Sequence, residues 1–281
     1  ARSIGVQAGY EWCETGELTG SLKVQYELAR RLVFSKLKER LGFDRLRIPV
    51  SAAAPIGIDV LEFFLSFDIM IHEAYGQSEG CGPTTANYAE PGKIKLGSVG
   101  LPIPGVDVEI ADDGEIKLEG RNVFKGYYKM PDETDETLRD GWLYSGDIGH
   151  FDDDGFLHIT DRKKDIIITA GGKNIAPQKI EKLLRKIDGI GQAAVIGDRR
   201  KFLSALMTLD PDRAPTLAEE NEWPTGLGEL ADHPEFREYV EAEVEKANAE
   251  LAQVDTIKRF RLLGQDWSQE TDELTPSQKV R

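Results

Sequence analysis

Little in this chain points to a thiol framework, a membrane span or a polyanion. Its 281 residues include two cysteines, Cys13 and Cys81. They lie far apart and match no metal-ligand spacing, so no disulfide framework is expected and a reducing cytoplasm suits the chain. Runs of about eighteen apolar residues are missing. The greasiest window, VLEFFLSFDIMIHEAYG, is broken by Glu62, Asp68 and Glu73, and this argues against a spanning helix. No secretory leader pattern is read. Positive charge is also short, with 35 Lys and Arg against 50 Asp and Glu and a net charge of −15. A general nucleic-acid binder needs an electropositive footprint, so no nucleic-acid partner is expected. The phosphate loop of the G-x-x-x-x-G-K-[ST] kind does not occur. The chain starts without Met and stops at Lys279-Val280-Arg281, which suggests a piece of a longer protein.

What is present is a globular composition, 40% hydrophobic and 30% charged, in a chain long enough for more than one domain. Over 19–42, Leu22, Tyr26, Ala29, Val33, Leu37 and Leu41 recur at helical steps, with Gly42 as the stop. RLRIPVSAA reads as a strand, DVLEFFLSF as a helix and IMIHEAYG as a second strand. This β-α-β order predicts a parallel sheet with its site at strand carboxyl ends. From about residue 97, short alternating runs cut by Gly, Pro and Asp-Gly predict hairpins in a small barrel or sandwich. After residue 165 the pattern becomes α+β. Ile180, Leu183, Leu184 and Ile187 share a helix face behind Pro177, and Phe236, Tyr239, Val240, Val244 and Leu251 share another behind Pro234, with Asp232 as the expected N-cap. The expected organisation is α/β and α+β, with a first domain over 1–163 and a small one over 164–281.

Four stretches carry candidate chemistry. In EAYGQSEG, Tyr75 ends a strand and Gly76 lets the backbone turn. Ser78 and Glu79 then offer a hydroxyl and a carboxylate, hard oxygen donors suited to a phosphate and its Mg²⁺. An ordinary surface loop is the competing reading. In DGWLYSGDIG, Asp147 follows a glycine after an aromatic strand, where a carboxylate can accept from a ribose diol; a plain turn aspartate is the alternative. In DRKKDIIITAGGKNIAP, Arg162 has a planar donor fork, Lys163, Lys164 and Asp165 mark a solvated boundary, and Gly171 and Gly172 permit close approach or positive φ. A linker and a β-turn would look the same. In ELTPSQKVR, nothing local makes Lys279 more than a solvated lysine. His72, His150 and His158 read as structural, with no Ser, Cys or carboxylate partner at a helpful spacing, and Cys81 reads as a small packing residue.

In this order the stretches resemble the adenylate-forming superfamily (acyl-CoA synthetases, luciferases and adenylation domains), and within it the long-chain fatty acid–CoA ligases. SAAAP, YGQSE, GSVGLPIPGVDVEI, GEIKLEGRNVFKGYY, DGWLYSGDIG, DRKKDIIITAGGKNIAP and ELTPSQKVR carry the resemblance from residue 51 to the end, and LVFSKLKERLG extends it upstream. It implies an acid–thiol ligase that uses ATP, Mg²⁺ and coenzyme A with a fatty acid, releasing AMP. It implies a cytoplasmic place, with peripheral attachment at the inner membrane face left open.

Carried over by position, Ala53, Ala54, Pro55, Tyr75 and Gly76 would line the adenine pocket. Ser78 would meet the α-phosphate and Glu79 the Mg²⁺, and Asp147 and Arg162 would grip the ribose. Lys164 would be the hinge, Gly171, Gly172, Lys173 and Asn174 the loop serving the thioester step, and Lys279 the lysine reaching the carboxylate and α-phosphate. Ser78 stands where threonine is usual, and Ala52 where glycine is common. The family's Ser/Thr/Gly-rich phosphate loop, the first half of its large domain and much of its acyl tunnel have no counterpart here. Transfer to a carrier-protein thiol, and a non-catalytic nucleotide-binding module, are the alternatives.

Overall fold

The computed structural model describes residues 1–270 with Glu273 and Leu274. Two compact units divide the chain, Ala1–Ile159 and Thr160–Arg281. Each is a mixed α/β body. No helix among the described residues is long and apolar enough to cross a membrane.

The first unit begins with α1 (Arg2–Thr15) and α2 (Gly20–Ala29). A π-helical turn over Arg30–Phe34 then leads into α3 (Ser35–Leu41), which ends at Gly42. The 20–41 helix was legible, but its buried face was not. Ala29 is buried as expected, yet Val33 is 42% exposed and Phe34 is fully buried. A π turn bonds i to i+5 and so inserts one residue. The inward position after Ala29 therefore falls on Phe34. Tyr26 Oη and Lys38 Nζ fix the helix by bonding Asp68 at 2.6 Å each.

Strand β1 (Val50–Ser51), α4 (Ile58–Leu65) and β2 (His72–Gln77) form the expected parallel β-α-β unit. The sheet continues through β3 (Gly82–Ala86) and β4 (Leu101–Pro102), each antiparallel to its predecessor. The sheet is thus mixed, and only its first pair is parallel.

A second sheet holds β5 (Val106–Ile110) and β6 (Glu115–Gly120), a hairpin turned at Asp113 and Gly114. After α5 (Pro131–Thr137) come β7 (Leu138–Arg139), the ten-residue β8 (Trp142–Phe151) and β9 (Leu157–Arg162). Strand order is β5-β6-β8-β7, with β9 also on β8. The expected barrel is not closed: closure requires the last strand to return to the first, and β5 pairs only with β6 among the described residues. Ile116, Leu118, Leu143 and Leu157 are fully buried beneath these strands.

The second unit opens with the hairpin β10 (Ile167–Ile168) and β11 (Asn174–Ile175), then α6 (Pro177–Leu184). Strands β12 (Ile190–Ile196) and β13 (Leu203–Leu209) pair antiparallel. After α7 (Arg213–Glu220), α8 (Leu227–Asp232) and α9 (Pro234–Ala249), β14 (Ile257–Leu263) adds parallel to β13. The core joins Ile180 and Leu184 of α6 to Phe236, Val240 and Val244 of α9, as the helical spacing predicted. Asp232 is not the cap of α9. It closes α8, and His233 stands at the N-cap without a side-chain bond.

Candidate functional site

In the first unit, Tyr75, Gly76, Ser78 and Glu79 lie at or just beyond the carboxyl end of β2, and Asp147 reaches Tyr75 there. Gly76 is needed there for a different reason than a sharp turn. Its φ is not positive; a Cβ would lie 2.1 Å from the carbonyl oxygen of Gly82 on β3. The site therefore rests on close backbone contact between two strands. The chain then makes a single 3₁₀ turn, Ser78–Gly80, which exposes Ser78 and leaves Glu79 half-buried. Cys81 closes this turn at φ 53° and is exposed, so it is not the packing residue expected from its size. The buried cysteine is Cys13, whose thiol is pushed up to about 11, chiefly by burial.

One downstream segment holds this turn by three bonds. Asn122 Nδ2 donates to the Gly80 carbonyl at 2.8 Å. The Phe124 amide donates to the Glu79 carbonyl at 2.8 Å. Tyr127 Oη donates to Glu79 Oε1 at 2.7 Å. Burial first, and then Glu79, push the Tyr127 phenol above its ordinary range. A cavity of about 270 Å³ is lined by Gln77, Glu79, Glu115, Tyr127, Arg139 and Tyr144 among others.

Tyr75 and Asp147 meet in the same unit. Tyr75 packs with Ile116 and Leu157, and its hydroxyl donates to Asp147 Oδ2 at 2.7 Å. Both side chains are 7% exposed. The tyrosine ring is thus part of the core, and the phenol orients the carboxylate. Ser145 helps, since its Oγ accepts from the Asp147 amide at 3.1 Å. Ala53, Ala54 and Pro55 are exposed after β1, and Ala53 adopts φ 72°.

The second unit carries the remaining described candidates. Arg162 ends β9 and is exposed, while its neighbour Asp161 is 1% exposed. Asp161 accepts from the Arg162 amide at 2.7 Å and from the Gln178 amide, in the first turn of α6, at 3.1 Å. Burial raises its carboxyl above the usual range. Lys164 lies exposed in a 3₁₀ turn, Lys163–Asp165. Gly171, Gly172, Lys173 and Asn174 form the exposed tip of the β10–β11 hairpin, where Gly172 adopts φ 73° and bonds back to Thr169. Lys279 lies outside the described residues. A cavity of about 370 Å³ beside Gly228, Arg261 and Trp267 includes none of the expected residues.

Sequence reasoning missed Tyr127, Asn122 and Asp161. It also missed that His158 has a carboxylate partner, Asp152, at 3.0 Å, because the turn between β8 and β9 brings the two together. Lys95 binds the same Asp152, and with His158 it draws that carboxyl well below its usual range.

Among the described residues, no group of three or more His, Cys, Asp or Glu is arranged to hold a metal ion. One carboxylate beside a polar cavity still fits Mg²⁺, which commonly takes one or two protein oxygens and completes its shell with phosphate and water.

The AMP-binding enzyme family matches residues 20–128, and the AMP-binding enzyme C-terminal domain matches residues 164–280. The chain is 39% identical to long-chain-fatty-acid–CoA ligase FadD15 of Mycobacterium bovis, over 99% of this chain and 47% of that protein. It is 44% identical to the human long-chain-fatty-acid–CoA ligase ACSBG2, over 66% of this chain and 29% of that protein. It spans about half the length of the FadD15 relatives it matches. O-succinylbenzoate CoA synthetase from Bacillus subtilis, solved with the acyl-adenylate OSB-AMP, is similar at TM-score 0.65 and 26% identity, covering 88% of this chain and 48% of that one. ATP-bound MatB from Rhodopseudomonas palustris is similar at TM-score 0.62 and 27% identity, covering 81% and 43%.

Proposed function

We propose, because the chain belongs to the adenylate-forming family of AMP-binding enzymes, that it is part of an AMP-forming long-chain fatty acid–CoA ligase. A carboxylate does not condense with a thiol at neutral pH, because oxide is too poor a leaving group. Adenylation solves this. A carboxylate oxygen attacks the α-phosphorus of ATP, the bond to pyrophosphate breaks, and acyl-AMP forms. The CoA sulfur then attacks the acyl carbon, its proton leaves to solvent, and AMP departs.

In this reading Asp147, oriented by Tyr75, accepts hydrogen bonds from the ribose diol, and Arg162 donates to the same sugar. Ser78 donates to the α-phosphate. Ala53, Ala54, Pro55 and Gly76 border the adenine. Glu79 supplies the protein oxygen for Mg²⁺, which when bound offsets phosphate charge. Lys279 stabilises charge developing at the reacting phosphate, an electrostatic effect worth roughly 3 kcal/mol or more. Residues 164–281 act as a small lid with Lys164 as its hinge, and the Gly171, Gly172, Lys173 and Asn174 tip serves the thioester step.

The observation that carries the reading is the Tyr75–Asp147 bond, which joins two motifs 72 residues apart in the first unit. The test is pyrophosphate release by the complete protein with acids from acetate to oleate, CoA and a carrier protein being offered separately. Release with long-chain acids and thioester formation on CoA supports the proposal. Release without CoA turnover, or none at all, refutes it.

A further inference from the structure

The turn that carries Glu79 is held from outside its own motif. The 3₁₀ turn Ser78–Gly80 is closed by a backbone bond from the Cys81 amide to the Ser78 carbonyl at 3.0 Å. A glutamate on so short a turn keeps three side-chain torsions to fix. The segment from Asn122 to Tyr127 removes much of that freedom. It ties the turn at the Gly80 and Glu79 carbonyls through Asn122 and Phe124, and then takes the carboxylate itself through Tyr127. Tyr127 is held in turn. Its amide donates to Thr134 Oγ1 at 2.9 Å, and that hydroxyl donates to the Met130 carbonyl at 2.7 Å. The Phe124 ring meets the Tyr127 ring edge to face, with centroids 4.9 Å apart at 78°.

We propose that Tyr127 is a positioning residue for the cation-binding carboxylate, fixing Glu79 through Oε1 so that Oε2 is presented to a divalent cation. The inference rests on the ligase reading, which makes Glu79 a metal ligand. The chemistry suits the task. A carboxylate has more acceptor sites than one phenol can fill. A neutral donor narrows its orientation without cancelling its charge, whereas a lysine at the same place would compete with the cation for it. Among the described residues, Oε1 is the only Glu79 side-chain atom in a hydrogen bond. The hydroxyl of Tyr127 thus leaves the second oxygen for coordination, and Glu79 borders the same cavity as Tyr127.

The experiment is a double-mutant cycle on the complete protein, with Tyr127→Phe, Glu79→Gln and the pair. Phenylalanine keeps the ring against Phe124 and deletes only the hydroxyl. The direct readout is Mn²⁺ affinity by electron paramagnetic resonance, with a non-hydrolysable ATP analogue bound. The kinetic readout is the split between the free Mg²⁺ needed for half-maximal adenylation and the KM for fatty acid. Tyr127→Phe is expected to weaken Mn²⁺ by roughly tenfold, the scale of a lost hydrogen bond to a charged group. It should raise the Mg²⁺ requirement similarly and leave the fatty acid KM unchanged. In the Glu79→Gln background, Tyr127→Phe should have no further effect, which a merely structural role would not produce. If Glu79→Gln weakens Mn²⁺ and Tyr127→Phe does not, this inference is overturned while the ligase reading stands. If Glu79→Gln itself leaves Mn²⁺ unchanged, the metal assignment beneath it fails. Should Tyr127→Phe not fold, Thr134→Ala decides the matter. It frees the Tyr127 backbone and is expected to weaken Mn²⁺ by about threefold; unchanged affinity would overturn the proposal.

Discussion

Replacing Tyr75 by phenylalanine isolates the bond on which the candidate site is built. The ring stays against Ile116 and Leu157, and only the hydroxyl that donates to Asp147 Oδ2 at 2.7 Å is lost. Asp147 is 7% exposed, so water cannot fully replace the donor. A hydrogen bond to a charged group contributes about 1.5–3 kcal/mol. Asp147 has further interactions that soften the loss, so about 2 kcal/mol is expected. That is roughly a thirtyfold rise in local opening, since each 1.4 kcal/mol is tenfold. For a unit of this size the same loss lowers the melting temperature by about 4–8 °C. Hydrogen exchange followed by mass spectrometry reads the two units separately. Peptides covering β2 and β8 should exchange faster, and peptides from β12 and α9 should not change. In an Asp147→Asn background, Tyr75→Phe should cost much less. Exchange within twofold of the parent in β2 and β8 would refute the reasoning, as would equal acceleration in both units.

Gly76→Ala places a Cβ 2.1 Å from the Gly82 oxygen, so β2 and β3 must part. The expected cost is about 1–3 kcal/mol or more, read as a lower urea midpoint for the first unit, and an unchanged midpoint contradicts the packing argument. His72 is buried and its Nδ1 faces the Asn87 carbonyl oxygen at 3.2 Å; burial holds its pKa below the ordinary 6.5. In the pH range below 6.5 the unfolded chain takes up a proton that the folded one does not. First-unit stability should therefore fall as pH drops from about 7 toward 5, and His72→Gln should flatten that part of the profile, as measured by denaturant midpoints. In the complete protein, Lys279→Ala should abolish acyl-AMP formation yet largely spare thioester formation from supplied acyl-AMP. Equal loss of both steps counts against its role.

Periodicity made some parts of this molecule easy to read. The inward face of α9 follows Phe236, Val240 and Val244 without interruption, and all three are buried. The hairpin between β5 and β6 was announced by its Asp-Gly turn. The 20–41 helix shows where such reading stops: one extra residue in a π turn moved burial from Val33 to Phe34, and hydrophobicity does not distinguish the two. Asp161 was hidden inside a charged run. The strand alternation of β9 turns it inward and Arg162 outward, and its partner in α6 lies 17 residues on. Glu79 and Asp147 were visible as chemistry from their own motifs. The phenols that orient them, 48 and 72 residues away, were not paired with them, because tertiary packing alone sets those partnerships.

The left-handed residue that closes the 3₁₀ turn has a practical consequence. Cys81 is exposed two positions beyond Glu79, and the chain's other thiol is buried and held protonated in Cys13. A maleimide fluorophore applied to this chain at neutral pH should therefore mark one address, two residues from the cavity-lining Glu79. This chain carries its own attachment point for an optical reporter of the turn that bears Glu79, with no cysteine to be engineered into it.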